Sequence, residues 1–104
     1  MGIEQLLKDV RDKLSGEIRV TKVWLFGSRA RGREKADSDY DIAVISNDFR
    51  GMAFADRQRL VRPVIREVIG IQPLDVACYT EDEYENGKTA FLAKIIEEEG
   101  IAVF

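Results

Sequence analysis

Three aspartates stand where the chain has least structural use for a charge. Asp39 and Asp41 alternate at the start of the apolar run DYDIAVIS, and Asp75 is alone in PLDVACY. Alternate residues of a strand share a face. Asp39, Asp41, Ala43 and Ile45 therefore fall on one side of the first run, opposite Tyr40, Ile42 and Val44. In the second run Asp75, Ala77 and Tyr79 oppose Leu74, Val76 and Cys78. If the strands are neighbours, three carboxylates converge beside small side chains that leave room above them. Close anions stay ionised only when cations hold them; otherwise their pKa values rise. Mg2+ suits such a set, because it takes one or two carboxylates and completes its shell with phosphate oxygens and water. Two such ions roughly 3.5–4 Å apart form a clamp for in-line displacement at phosphorus. A bare Asp-x-Asp would say little, since aspartate also caps turns ahead of strands. The third carboxylate shifts the balance.

Between two of these features lies GSRARGREKADS. A strand that ends in glycine and runs into a helix N-terminus offers backbone N–H groups and a favourable dipole to phosphate. Gly27 lacks the Cβ that would hold a ligand off, and the Ser28 hydroxyl can donate to a phosphate oxygen. Ser28 can equally cap a short helical turn over SRARG. Arg29, Arg31, Arg33 and Lys35 make the segment basic despite Glu34 and Asp37. Arg33 and Lys35 read as a solvated loop.

The elements that must position these residues follow from periodicity. Ile3, Leu6, Leu7, Val10 and Leu14 mark one face of a helix that stops near Ser15-Gly16. IRVTKVWLF reads as a strand, with Trp24 in the core. DYDIAVIS is a second strand and SNDFRGM a loop. A helix over Phe54–Ile69 is set by Leu60, Val61, Val64, Ile65, Val68 and Ile69, with Gly70 as its stop. Pro63 should kink that helix or split it near Leu60. Arg59, Arg62 and Arg66 then line its solvated face, and Asp48 and Asp56 read as capping acids. PLDVACY is a third strand, with Tyr79 lining the face of Asp75. Thr80 is an N-cap for Glu81–Glu83. Phe91, Leu92, Ile95 and Ile96 define a last helix before IAVF, a short edge strand. The expected architecture is α+β in two layers: a small mixed sheet with helices on one face and the other partly open.

Composition excludes much. The 104 residues suit one domain, 1–104, and the net charge of −3 disfavours nucleic acid as the main partner. There is no histidine, which removes the usual general base, the Ser-His-Asp arrangement and most zinc sites. The single Cys78 permits no internal disulfide and reads as a buried thiol in a reducing cytoplasm. No apolar run is long enough to cross a bilayer, and the first residues show no signal-peptide pattern.

The combined stretch GSRARGREKADSDYDIAV resembles the signature of the DNA-polymerase-β-like nucleotidyltransferase superfamily, with ten residues between Ser28 and Asp39. It is similar in particular to the minimal (MNT-type) nucleotidyltransferases, small prokaryotic proteins commonly paired with a helical HEPN toxin as its antitoxin. The resemblance runs over essentially the whole chain. It implies that Gly27 and Ser28 hold the β- and γ-phosphates of a nucleotide; the motif fixes no role for Arg29 and Arg31, which read as contacts either to phosphate or to the partner. It implies that Asp39, Asp41 and Asp75 are catalytic and hold two Mg2+ ions, with ATP as substrate and AMP passed to a hydroxyl of a HEPN-type partner. Two alternatives stay open: an antitoxin that works by stoichiometric binding, or the catalytic subunit of an aminoglycoside-like small-molecule transferase. Larger superfamily members carry a second domain after the core, so a second copy or a separate partner is expected to complete the site.

Overall fold

Helix α1, Ile3–Leu14, forms because its apolar residues recur every third and fourth position. Leu6, Leu7, Val10 and Leu14 are all buried along one face. Its end is fastened by Ser15, whose N–H and hydroxyl both donate to the Arg11 carbonyl. The remaining elements of this computed structural model, which describes residues 2–26, 39–86 and 100–103, follow in order. They are β1 (Lys22–Phe26), β2 (Tyr40–Ile45), a 3-10 turn (Asn47–Phe49), α2 (Phe54–Ile69), β3 (Leu74–Tyr79), α3 (Glu81–Glu85) and β4 (Ile101–Val103). The turn segment after Phe26 and the helix expected around Phe91–Ile96 lie outside the described residues.

The strands form one sheet in the order β3-β2-β1-β4. β2 and β3 run parallel, while β1 is antiparallel to both of its neighbours. This is the expected small mixed α+β sheet, its mixed strand directions following from the resemblance and not from apolar alternation. α1 and α2 pack on one face, over Val23, Leu25, Ile42, Val44, Leu74 and Cys78. Every one of these lies at an alternate strand position, as burial of one face requires. The opposite face carries a smaller cluster of Trp24, Ala43, Ile45 and Tyr84, with Phe26, Ala77 and Tyr79 against it. Tyr84 comes from α3, so that helix covers part of this face and leaves it partly open, as expected.

Three expectations need correction. The first strand begins at Lys22 and not at Ile18. The backbone turns back on α1 instead, with the N–H groups of Glu17 and Ile18 both donating to the Leu14 carbonyl. SNDFRGM is more than a loop. Buried Ser46 caps the 3-10 turn by accepting from the Asp48 N–H, its hydroxyl donates to the Arg19 carbonyl, and Asp48 accepts from the Arg19 N–H. Phe49 on that turn is fully buried. Pro63 neither ends nor splits α2, which is continuous over Phe54–Ile69. The helix spans the missing donor because Val61 and Ile65, on either side, are both fully buried against the sheet.

Candidate active site

Register decides which of the aspartates meet. Asp41 is paired with Asp75 across the parallel β2–β3 ladder and with Phe26 across β1. Parallel strands lie about 4.8 Å apart, and paired residues point to the same face. Asp41 and Asp75 are thus side by side on the face away from α1 and α2. The next row along is Trp24, Ala43 and Ala77, and the one after it Lys22, Ile45 and Tyr79. An acidic row therefore borders a floor of two alanines, with aromatic side chains at its margins. Asp39 lies one residue before β2 and is exposed, as is Asp75; Asp41 is partly exposed. Tyr40 packs on the opposite face, against the main core.

The donor set suits a hard cation. Two neighbouring carboxylates and a third at the entry to β2 are all oxygen ligands, and water can reach them. Among the described residues no three acidic or thiol side chains close into a metal-sized cluster. Mg2+ does not require one, since phosphate oxygens and water fill much of its shell. Gly27, Ser28, Arg29 and Arg31, the expected phosphate-binding residues, lie outside the described residues. A hollow of about 90 Å³ lined by Thr21, Lys22, Ile45, Glu81, Tyr84 and Glu85 opens at the other end of this face. It is too small for a nucleotide, whose sites run to several hundred Å³.

The outer edge of β3, the strand that carries Asp75, is occupied by side chains. The Pro73 and Tyr79 carbonyls accept from the N–H groups of Tyr40 and Ser46. Odd-numbered carbonyls of β3 therefore face β2, and even-numbered ones face the open edge. Each even-numbered carbonyl of β3 is taken by a side chain from α2. Arg62 donates to Leu74 O at 3.2 Å, Gln58 to Val76 O at 2.7 Å and Arg57 to Cys78 O at 3.1 Å. Arg66 continues the series beyond the strand, donating to the Gly70 carbonyl at 3.1 Å and to that of Gln72. Arg62 and Arg66, expected on a solvated face, are the upper rungs of a ladder. Only Arg59 matches that expectation, in an exposed pair with Asp56. The recurrence of long donors at 58, 62 and 66, just before a strand, is the signal that could have disclosed it.

Arg57 closes the lower end. Its side chain is 5% exposed and forms a two-pronged pair with Glu83 at 2.6 and 3.2 Å. It also donates to the Met52 carbonyl and lies over the rings of Phe49 and Phe54. Glu83 in turn completes a capping box with Thr80 at the start of α3. The Arg57 hydrogen bond is the main reason the Glu83 carboxyl titrates below its ordinary range, and the Thr80 N–H adds to it. Burial pushes the Cys78 thiol up to about 12, leaving it inert as a nucleophile. Burial likewise raises Tyr79.

Comparison with known proteins agrees with this geometry. No curated protein matches the chain. Among solved structures, a provisionally named nucleotidyltransferase from Sulfolobus solfataricus is similar at 24% identity. The match covers 94% of this chain and 76% of that one, with a TM-score of 0.64. A toxin-antitoxin structure with AMP-PNP matches at 20% identity over 93% of this chain and 71% of that one, TM-score 0.68. A mutant MntA-HpeT toxin-antitoxin structure matches at 20% identity over 100% and 72%, TM-score 0.63. At these identities the likeness is one of fold. The sequence model of the nucleotidyltransferase domain, however, matches residues 3–103, and the chain belongs to that family.

Proposed function

We propose that this chain moves AMP from ATP to a hydroxyl of a helical partner protein, and that the modification silences a HEPN-type toxin. The observation that carries the reading is the in-register pair Asp41 and Asp75 on the accessible face, in a chain of the nucleotidyltransferase family. The adenine nucleotide analogue in a similar toxin-antitoxin structure supports ATP as donor and a toxin as partner.

Asp39, Asp41 and Asp75 are the residues that would hold Mg2+, which supplies charge neutralisation on the phosphates and at the attacking oxygen. Gly27 and Ser28 grip the β- and γ-phosphates, with Arg29 and Arg31 adding positive charge. The acceptor oxygen bonds the α-phosphorus as the bond to the β-phosphate oxygen breaks, and pyrophosphate leaves. Asp75, on the acceptor side, takes the hydroxyl proton and passes it to water.

The test combines the pure chain, Mg2+ and α-labelled ATP with the helical product of the neighbouring gene. The expected result is AMP-sized mass gain on that partner. Asp41→Asn should lower the rate more than about a hundredfold, beyond what loss of an outer-shell partner costs, with the fold intact by circular dichroism. Partner inhibition that persists without ATP and in Asp41→Asn would replace transfer by stoichiometric binding.

A further inference from the structure

The ladder from α2 has a bearing on the acidic row. Asp75 is the residue between the two carbonyls taken by Arg62 and Gln58. The Leu74–Asp75 peptide presents its carbonyl to Arg62 on the outer side. Its N–H is directed to β2, where the ladder runs in register from Tyr40 to Ile45. Asp75 thus sits in a backbone gripped from both edges, although β3 is a terminal strand of the sheet. A terminal strand without outer partners opens more readily than an inner one. Its carboxylate would then wander relative to Asp41, which is on inner strand β2. The two side chains reach the edge from a helix on the opposite face of the sheet, so neither comes to the metal side itself.

We infer that Gln58 and Arg62 are positioning residues for the metal centre, holding Asp75 in register with Asp41 through the backbone of β3. This rests on the metal assignment proposed above and goes beyond it. Affinity for the cation depends on side chains that touch neither cation nor nucleotide. Rungs that do not flank Asp75 should matter less. Arg66, which bonds the Gly70 and Gln72 carbonyls, is the internal comparison: its loss removes hydrogen bonds of the same kind from the same helix, away from the acidic row.

The probe is Mn2+ in the presence of AMP-PNP, followed by the loss of the free-ion paramagnetic resonance signal, with thermal melts run in parallel. Arg62→Met and Gln58→Leu should each weaken Mn2+ binding on the order of tenfold, the scale of an outer-shell loss. Arg62→Lys keeps a donor and should restore most of the affinity. Arg66→Met should lower the melting temperature comparably while leaving Mn2+ affinity within about twofold, inside that scale. Equal Mn2+ affinity in wild type, Arg62→Met and Gln58→Leu would overturn the inference. So would a loss in Arg66→Met matching that of the other two, which would mark a purely structural effect. Failure of the wild-type chain to bind Mn2+ with AMP-PNP would instead overturn the metal assignment beneath it.

Discussion

At the scale of single residues, the least expected feature is a buried arginine. Arginine is among the residues rarely buried unless paired, and Arg57 meets that condition through Glu83, two carbonyls and two aromatic rings. Replacing it with methionine keeps most of the volume but strands the Cys78 and Met52 carbonyls. Glu83 is about one third exposed and can turn to water, so the loss falls below that of a fully buried pair. Arg57→Met should cost about 2–3 kcal/mol at neutral pH, measured by urea unfolding. A pH signature accompanies it. The Glu83 carboxyl is held below its ordinary 4.5. Its contribution is therefore present above that value and lost as pH falls through the lowered pKa. Between about pH 6 and pH 3 the wild-type stability should drop more steeply than that of Arg57→Met. Parallel pH profiles would contradict the assigned cause. Sequence did not disclose this residue, because the Cys78 carbonyl and the Glu83 carboxylate that fix it lie on other elements, more than twenty residues along the chain. The acidic residues were legible for the opposite reason: a charge among alternating apolar residues stands out, and the parallel β2–β3 register then brings Asp41 and Asp75 onto one face.

At the scale of elements, period locates the helices and strands among the described residues and their apolar faces, while Arg62 and Arg66 leave the solvated face that period assigns them. What period does not reveal is where an element stops or bends. Ile18 and Val20 alternate like strand residues, yet the turn closing α1 claims the backbone of Ile18. Pro63 reads as a kink or a split, yet α2 is not split there, with burial on either side of it carrying the helix through. The helix bears a real cost at that position, since proline removes a donor and crowds the carbonyl four residues back. Pro63→Ala should therefore raise stability by about 1–3 kcal/mol by denaturant unfolding. A neutral or destabilising result would mean that a local bend at Pro63 is needed to fit α2 to the sheet.

At the scale of the whole molecule, the two faces of the sheet divide the labour. One carries α1, α2 and nearly all of the large buried side chains; the other keeps the acidic row within reach of solvent. Among the described residues no helix is long and apolar enough to cross a membrane. The side-chain ladder also closes the β3 edge, and an unpaired edge is a template for pairing with other chains. Removing both central rungs, with Gln58→Leu and Arg62→Met together, should increase self-association over wild type at equal concentration in sedimentation velocity. Unchanged sedimentation would show that the edge is blocked by something other than these bonds.

The ladder also limits how long such an edge strand can be. Two strand residues advance about 6.6 Å, while four helix residues advance about 6.0 Å. Helix and strand thus slip out of phase by about 0.6 Å per rung. The steps from Arg66 to Arg62 to Gln58 are four residues each, but the next rung is Arg57, one residue on, stretched to Cys78 O. α2 begins only three residues earlier, at Phe54. Side-chain length absorbs the slip over a strand of six residues, as in a vernier whose scales coincide over a short span. Lengthening β3 by one further rung would call for a side-chain donor to its carbonyl where the remaining residues of α2, Phe54, Ala55 and Asp56, carry none.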